Sequence, residues 1–191
     1  MDNSPKVRVL QWRRRCLENY LIDVDTLTDL LQDPEVVQDK LSSLGEVNKL
    51  LRDLAFSQLD ELVAKKAYAQ YSFEDPNLRA SEIRGRSIAE ISEILFSRLR
   101  RMNQQTSGVT DHWKTSFVTE AERHKRELAA LWDVKWMENC DGKQLFTDLY
   151  RNLKTFRLPL RRLKKRVIQE MARKQTENWL SIQSLLAGLL S

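Results

Sequence analysis

Two acidic residues near the N-terminus have a spacing that suits metal-ion chemistry. Asp23 and Asp25 are separated by one residue, and two carboxylates at that spacing can share a Mg²⁺ ion. In metal-dependent nucleases such a pair follows a continuous apolar strand, whereas here it precedes a helix start. Capping explains Asp25 and a turn explains Asp23, so we interpret both as structural. An independent Mg²⁺-dependent enzyme that uses Glu18 with this pair stays an alternative.

The cysteines and histidines are too few and too scattered to predict a metal centre. Cys16 and Cys140 have no CxxC partner, and His112 and His124 are the only histidines. A zinc site would need all of them to converge from distant segments. We predict reduced thiols in a cytoplasmic protein. His124 lies on an apolar helix face, which favours a half-buried structural histidine over a catalytic one.

The sequence contains none of four motifs that mark nucleotide binding or hydrolysis, GxxxxGK[ST], GxGxxG, HExxH and GxSxG. These motifs place a phosphate loop, a zinc ion or a nucleophilic serine. We therefore predict that this chain has no complete catalytic site of its own. No apolar run approaches the ~20 residues that span a bilayer, so we expect no membrane partner.

Basic residues are concentrated in the last third of the chain. Arg151–Lys174 has ten basic side chains and one acid, Glu170, within a chain of net charge +5. In Pro159–Lys174 the apolar residues fall on one helix face. Such a basic face attracts phosphate backbones and releases their counterions. We predict backbone contacts to DNA that do not read its sequence, made by Arg161, Arg162, Lys165 and Arg166.

Two alternative roles of the basic face stay open. Its cations could form salt bridges with acids elsewhere in the chain, such as Asp60, Glu61, Glu90 or Glu93. Alternatively, the face could dock onto an acidic protein or a membrane surface. The core is expected to use the apolar side of this helix, which counts against a membrane surface.

Composition and periodicity predict a mostly α-helical fold, a multi-helix bundle. The chain has 191 residues but only five Gly and four Pro, and sheet proteins need turn residues more often.

Asp25 is expected to cap a short helix through Leu31. Asp33-Pro34-Glu35 predicts a second helix to about Ser42. Gly45 is expected to end that helix, before a longer one to about Tyr71. Ser87 and Glu90 have capping-box spacing.

One segment has the pattern of a strand. Lys6–Trp12 alternates with period two and contains β-branched residues. A lone strand needs a partner, so it is either an irregular arm or part of a sheet whose other strands lie elsewhere. We predict one compact domain with three parts: the strand and a turn over 1–23, a helical region over 24–104, and a helical region with the basic segment over 111–191. Asn103–Thr110 is the predicted linker.

Two stretches resemble the C-terminal regions of a known family. Arg13–Asp23, RRRCLENYLID, resembles the Glu-Asn-Tyr-Leu-Leu-Asp signature that follows the Toprim core. That signature occurs in nucleases of the OLD (overcoming lysogenization defect) kind and in related ATPase-linked defence proteins. Asp141–Leu149, DGKQLFTDL, resembles the Gly-Lys-apolar element that opens a later helix in those proteins. The strand-like KVRVLQW segment is similar to the last strand before the signature.

The resemblance implies part of a Toprim-type, metal-dependent nuclease that acts in DNA repair or phage defence, with the N-terminal strand as a remnant of a Toprim-like α/β sheet. It places Glu18 and Asn19 near the edge of the metal site and makes Lys143 a phosphate-facing lysine, so Glu18 and Lys143 are the candidate catalytic residues. From the residues alone, Glu18 pairs with Arg14 or Arg15, and Lys143 is an exposed first-turn residue.

The chain departs from that family at the catalytic core. A Toprim core needs an upstream Glu and a strand-borne Asp-x-Asp to hold metal, and only about a dozen residues precede the signature. We therefore expect no cleavage and no cofactor in this chain alone. Mg²⁺ would enter if a missing N-terminal domain, or an ATPase or Toprim partner chain, completed the core.

A rival function needs no nucleic acid. The chain could be a helical interaction or scaffold protein that binds an acidic protein. The apolar tail motivates this alternative, because its leucines could pack on a partner; they are Leu185, Leu186, Leu189 and Leu190.

Overall fold

A computed structural model describes residues 16–38, 43–70, 78–102, 111–153 and 156–190 of the chain. Helices account for most of these residues, so the predicted mostly α-helical class is confirmed. No strand occurs among them, although Val37 and Phe156 form an isolated antiparallel bridge. The strand predicted at Lys6–Trp12 lies outside the described residues, as does the linker predicted at Asn103–Thr110.

The described elements begin with a 3₁₀ helix, Leu17–Leu21. The α-helices that follow are α1 Val24–Gln32, α2 Leu44–Phe56, α3 Leu59–Tyr68, α4 Ala80–Ile83, α5 Ile88–Met102, α6 Asp111–Asn139, α7 Gly142–Asn152, α8 Leu160–Lys174 and α9 Glu177–Leu190. None of these helices is long and apolar enough to cross a membrane.

The start of α1 corrects the predicted capping residue. Asp23 is the N-cap, with extended backbone, and its Oδ1 accepts from the Thr26 amide at 3.0 Å. Asp25 lies exposed in the first turn. Both acids suit the positive end of a helix, and only the backbone conformation decides which of them caps it. The sequence-based choice of Asp25 was therefore wrong by two residues.

The predicted helix from Pro34 to about Ser42 is wrong over its described part. The chain turns at 34–36 and forms the isolated bridge at Val37. Asp33 Oδ1 accepts from the Glu35 amide at 2.8 Å, and the Val36 carbonyl accepts from the Arg157 amide at 2.9 Å. An acid before proline starts turns as well as helices. The hydrogen bond to Arg157, far along the chain, thus belongs to a turn and not to the predicted helix.

Two further boundaries differ from the prediction, and one agrees. Gly45 lies inside the first turn of α2 instead of ending a helix, and the long helix expected to reach Tyr71 is split at 57–58 into α2 and α3. The capping box at the start of α5 is confirmed. The Ser87 amide donates to Glu90 Oε2 at 2.9 Å, and Ser87 Oγ accepts from the Glu90 amide at 3.3 Å.

Contacts divide the chain into two compact units, Met1–Leu54 with Met137–Ser191, and Ala55–Trp136. The second boundary falls within α6, just after Lys135, whose backbone angles are not helical (φ −128°, ψ 33°). The ranges proposed from the sequence, 1–23, 24–104 and 111–191, follow chain order and stay a prediction.

In the Ala55–Trp136 unit, the helices pack through periodic apolar residues. α3 contacts α5, and Val63 and Leu95 are buried. Phe96 of α5 meets Phe117 of α6 edge-on, with ring centroids 5.7 Å apart, a favourable geometry for aromatic pairs. Full burial of such side chains stabilises the fold by about 1.5–3 kcal/mol each.

In the other unit, the 3₁₀ helix contacts α7, α8 and α9, and α1 contacts α8. Its buried core draws on helices that are far apart in sequence: Leu27, Leu31, Leu145, Leu149, Leu163 and Val167. One side of α8 therefore faces this core, and its opposite side is available to solvent.

Candidate nucleic-acid interface

Helix α8 is set in place by its apolar residues and by its two ends. Leu163, Val167 and Met171 recur every four residues and are completely buried, so they form one stripe along the helix. Pro159 occupies the N-cap position with a φ of −58°. At the other end Gln175 adopts left-handed angles, φ 53° and ψ 46°, and its amide donates to the Ala172 carbonyl.

The structure brings the four predicted nucleic-acid-binding residues together on the side of α8 opposite its buried stripe. All four are exposed: Arg161, Arg162, Lys165 and Arg166. Arg173 extends the same side, with 68% of its side chain exposed. Arg173 belongs to the basic segment but was not among the predicted binding residues, although its position seven residues after Arg166 signals the same side. We call these five residues the cationic face.

The cationic face is only partly neutralised by acids. Glu170 lies 2.7 Å from Arg173 Nε and 3.8 Å from Arg166 Nε. Among the described residues, Arg161, Arg162 and Lys165 form no ion pair. The other two cations of α8 lie off the face and have partners, Glu18 for Lys164 and Asp29 for Lys174.

The acids considered as salt-bridge partners of the basic face are engaged elsewhere. Each pairs with a cation of the Ala55–Trp136 unit. The pairs are Asp60 with Lys125 at 2.7 Å, Glu61 with Lys65 at 2.6 Å, Glu90 with Arg86 at 3.6 Å, and Glu93 with Lys114. Those four acids thus pair within their own unit, while two cations of α8 pair with other acids elsewhere in the chain, Lys164 with Glu18 and Lys174 with Asp29.

Helix stability does not account for the position of Arg161 and Arg162. Both lie in the first turn of α8, which contains no acid. The N-terminal end of a helix is electropositive, and a cation there costs about 0.3–1 kcal/mol. An anion bound at this end would offset that cost. The arrangement is thus unfavourable for the isolated helix and suited to a phosphate ligand.

Glu18, a candidate catalytic residue, is held by a lysine of α8. Its carboxylate lies 3.2 Å from Lys164 Nζ, which also lies 5.6 Å from the centroid of the Phe146 ring. Burial alone would raise the pKa of Glu18, but hydrogen bonds from its backbone and from Lys164 bring it below the ordinary value of 4.5. Arg14 and Arg15, the partners predicted from the sequence, lie outside the described residues.

Asn19 ties the 3₁₀ helix to the segment before α7. It is completely buried, and its Nδ2 donates to the carbonyls of Met137 and Cys140 at 2.8 and 2.9 Å. Its Oδ1 accepts from the Cys16 thiol at 2.8 Å and from the Cys16 amide at 3.1 Å. Cys16 and Cys140 form no disulfide with each other. Asn19 therefore donates hydrogen bonds to carbonyl groups that would otherwise be buried without a partner.

The start of α7 fits closely against that 3₁₀ helix. A Cβ atom at Gly142 would lie 2.6 Å from the Asn19 amide nitrogen and 2.8 Å from the Glu18 carbonyl carbon, so only glycine allows this approach. Asp141 caps α7 by accepting from the Gln144 amide at 3.0 Å. The two stretches from which a Toprim-type family was expected thus contact each other at Asn19 and Gly142. We call this contact the Asn19–Gly142 joint.

Lys143, the other candidate catalytic residue, follows the joint immediately. It is exposed in the first turn of α7, the position expected from the residues alone. No hydrogen bond or ion pair between the described residues joins Lys143 to Glu18. The structure therefore does not bring the two candidates together as a charge pair.

The paired carboxylates and the buried histidine have structural partners. Asp23 caps α1 and accepts from Asn178 Nδ2 at 3.4 Å, while Asp25 is exposed. His124 is buried, between Gln70 Nε2 at 3.0 Å and Glu127 Oε2 at 3.3 Å. Within the described ranges, no group of three or more His, Cys, Asp or Glu residues is placed to hold a metal ion.

The candidate interface therefore rests on α8 and the residues that position it. The buried stripe fixes the rotation of the helix, and the Glu18–Lys164 pair ties it to the 3₁₀ helix. Comparisons with protein-family models, with curated proteins and with solved structures find no match for this chain.

Proposed function

We propose that this chain is a cytoplasmic, helical module that binds nucleic acid through the phosphate backbone and does not cleave it alone. The observation that carries the proposal is the cationic face. Three of its cations, Arg161, Arg162 and Lys165, are exposed and have no ion-pair partner among the described residues. Proteins bind phosphate backbones through cations of this kind, without reading sequence.

The shape of the face supports a backbone ligand over a small anion. From Arg161 to Arg173, α8 rises about 18 Å at about 1.5 Å per residue. A single phosphate spans a small part of that length, whereas a nucleic-acid backbone presents a phosphate about every 3.4 Å of helix rise per strand. The distribution of charge along α8 therefore matches a polyanion.

The proposal extends to the biological setting that the family resemblance implies. The module would be the C-terminal region of a Toprim-type nuclease of the OLD kind or of an ATPase-linked defence protein, acting in DNA repair or phage defence. Its support is the pair of matching stretches, which meet at the Asn19–Gly142 joint. Mg²⁺ and the acids that bind it would come from a Toprim core in another domain or partner chain, with Glu18 and Lys143 at its edge.

The test is a binding titration of the purified chain with a labelled generic DNA duplex at several salt concentrations. Arg161→Ala/Arg162→Ala/Lys165→Ala removes the three cations of the face that have no ion pair within the described part of the chain. A matched control, Lys49→Ala/Lys66→Ala/Arg126→Ala, lowers the net charge equally at exposed positions outside α8. Loss of affinity and of salt dependence in the first variant alone would support the proposal. Equal behaviour of both variants would contradict it.

A scaffold function is the second candidate, and exposed apolar residues on α9 favour it. Leu180 and Leu186 are 48% and 47% exposed, although burial of leucine is usually favourable by about 1.5–3 kcal/mol. An acidic protein partner could cover them while it contacts the cationic face. Tight binding of an acidic partner by a chain that ignores DNA would favour this candidate. A concentration-independent monomer with α9 protected from solvent would argue against it.

A further inference from the structure

The cations of α8 form two rows, not one patch. Successive residues of an α-helix are about 100° apart. Arg161 and Lys165 therefore fall in one row, and Arg162, Arg166 and Arg173 fall in a second row about a quarter turn away. The exposed Gln169 lies between the rows, while the buried stripe of Leu163, Val167 and Met171 occupies the other side of the helix.

We propose that α8 lies in the major groove of B-form duplex DNA. One row of cations would contact the phosphates of one strand, and the other row the phosphates of the opposite strand. The inference rests on the proposed nucleic-acid binding and narrows its ligand to one class. An α-helix with side chains is about 10–12 Å across, and the major groove of B-DNA is about 12 Å wide. Cations on both flanks of such a helix lie where the two strands border the groove.

The space between the rows suits the floor of that groove. Gln169 is neutral, exposed and able to donate and accept hydrogen bonds. Base edges in the major groove present both donors and acceptors. Glu170, the one acid of the helix, lies toward the buried side, where its side chain is 17% exposed and pairs with Arg166 and Arg173. No acid of α8 is therefore directed at the DNA.

Other nucleic acids fit this surface less well. Single-strand binders stack bases on aromatic side chains, and α8 has none. Tyr150 and Phe156, the aromatic pair that precedes it, stack on each other at 5.2 Å between ring centroids. Double-stranded RNA has a deep, narrow major groove that side chains do not read. B-form DNA is thus the ligand that matches both the charge and the width of the helix.

The experiment compares three probes of one sequence, about 20 nucleotides long: a DNA duplex, an RNA duplex and single-stranded DNA. We expect the DNA duplex to bind about tenfold tighter than either other probe. Two double variants test the rows, Arg161→Ala/Lys165→Ala and Arg162→Ala/Arg166→Ala. Each should make the negative slope of log affinity against log salt flatter by about 1.8, because each loses two phosphate contacts. Protection of guanine N7 from dimethyl sulfate would place the chain in the major groove.

Three results would overturn the inference and leave phosphate binding intact: equal affinity for the RNA duplex or the single strand, full guanine N7 reactivity in the saturated complex, or an effect confined to one row. Failure to bind any of the three probes would instead overturn the proposed function itself. Circular dichroism of each variant separates a lost contact from a lost fold, and a folded variant of each row is required before its slope is compared.

Discussion

Gly142 approaches Asn19 so closely that a Cβ atom at position 142 would lie 2.6 Å from the Asn19 amide nitrogen. The two residues belong to the two stretches on which the proposed relationship to Toprim-type proteins rests. Their contact joins the 3₁₀ helix to the start of α7, and the same 3₁₀ helix contacts α8. The joint therefore connects the family-like stretches to the helix that carries the cationic face.

Gly142→Ala is expected to destabilise the fold. The new methyl group meets backbone atoms, which cannot rotate away, so we expect a loss of about 1–3 kcal/mol in the free energy of unfolding. Gly45→Ala is the matched control, because Gly45 also lies in the first turn of a helix and its nearest neighbour is Ser43 Oγ at 3.9 Å. Alanine there should be neutral or stabilise by up to about 1 kcal/mol. Urea denaturation that ranks the two variants in the opposite order would refute the joint.

Asn19→Ala should be costly for a different reason. It removes the donors to the Met137 and Cys140 carbonyls at a completely buried position. A buried polar group left without its partner costs about 1–3 kcal/mol, so we expect a total loss above about 2 kcal/mol. Chemical denaturation measures it, with Asn48→Ala, an exposed asparagine of α2, as the control. A loss no larger than in that control would show that the hydrogen bonds contribute little.

The ion pair between Glu18 and Lys164 predicts a pH dependence of stability. The folded pKa of Glu18 lies below its ordinary value of 4.5, so the pair stabilises the fold above that pH. The contribution is lost as pH falls through the folded pKa. In a double-mutant cycle with Glu18→Gln and Lys164→Met, we expect a coupling of about 0.5–1 kcal/mol at pH 7, typical of a partly exposed pair. Coupling that persists unchanged well below pH 4 would contradict the assignment.

Much of α8 could be predicted from the sequence, because its start and its buried side depend on residues that are close together in the chain. Pro159 marks its start, and leucine, valine and methionine at helical spacing define its buried side. The exposed side follows by geometry, so the four predicted binding residues do share a face. The same local reasoning found the Ser87–Glu90 capping box. Arg173 was not among the predicted binding residues because that set ended at Arg166, about two turns earlier in the helix.

The joint could not be predicted, because it depends on contacts between distant segments. Asn19 has the same neighbours in sequence whether it lies beside a metal site or inside a core, and only the fold places it against Cys140. The helix predicted from Pro34 was wrong for the same reason, since the Arg157 amide donates to the Val36 carbonyl. The pairing of Glu18 with Lys164 likewise depends on a residue far along the chain.

Glu170→Gln should strengthen binding to nucleic acid. Glu170 is the one acid on α8 and lies within ion-pair distance of Arg166 and Arg173. Its neutralisation releases both arginines, so that their full charge acts on the phosphates. We expect about threefold tighter binding at low salt, the effect of roughly one surface charge pair. Fluorescence anisotropy with a DNA duplex measures it. Weaker binding would mean that Glu170 orders the arginines for their ligand.

The salt dependence of DNA-duplex binding is the sharpest test of whether α8 binds phosphates. Between ~50 and 200 mM salt, the wild-type chain should lose affinity with a log–log slope of about −3 or steeper, since each phosphate contact contributes about −0.9. Arg161→Ala/Arg162→Ala/Lys165→Ala should flatten that slope by about 2.7. The Lys49→Ala/Lys66→Ala/Arg126→Ala control should keep the slope of the wild type. Equal slopes in all three proteins, or no binding at ~50 mM salt, would contradict a phosphate-binding role for α8.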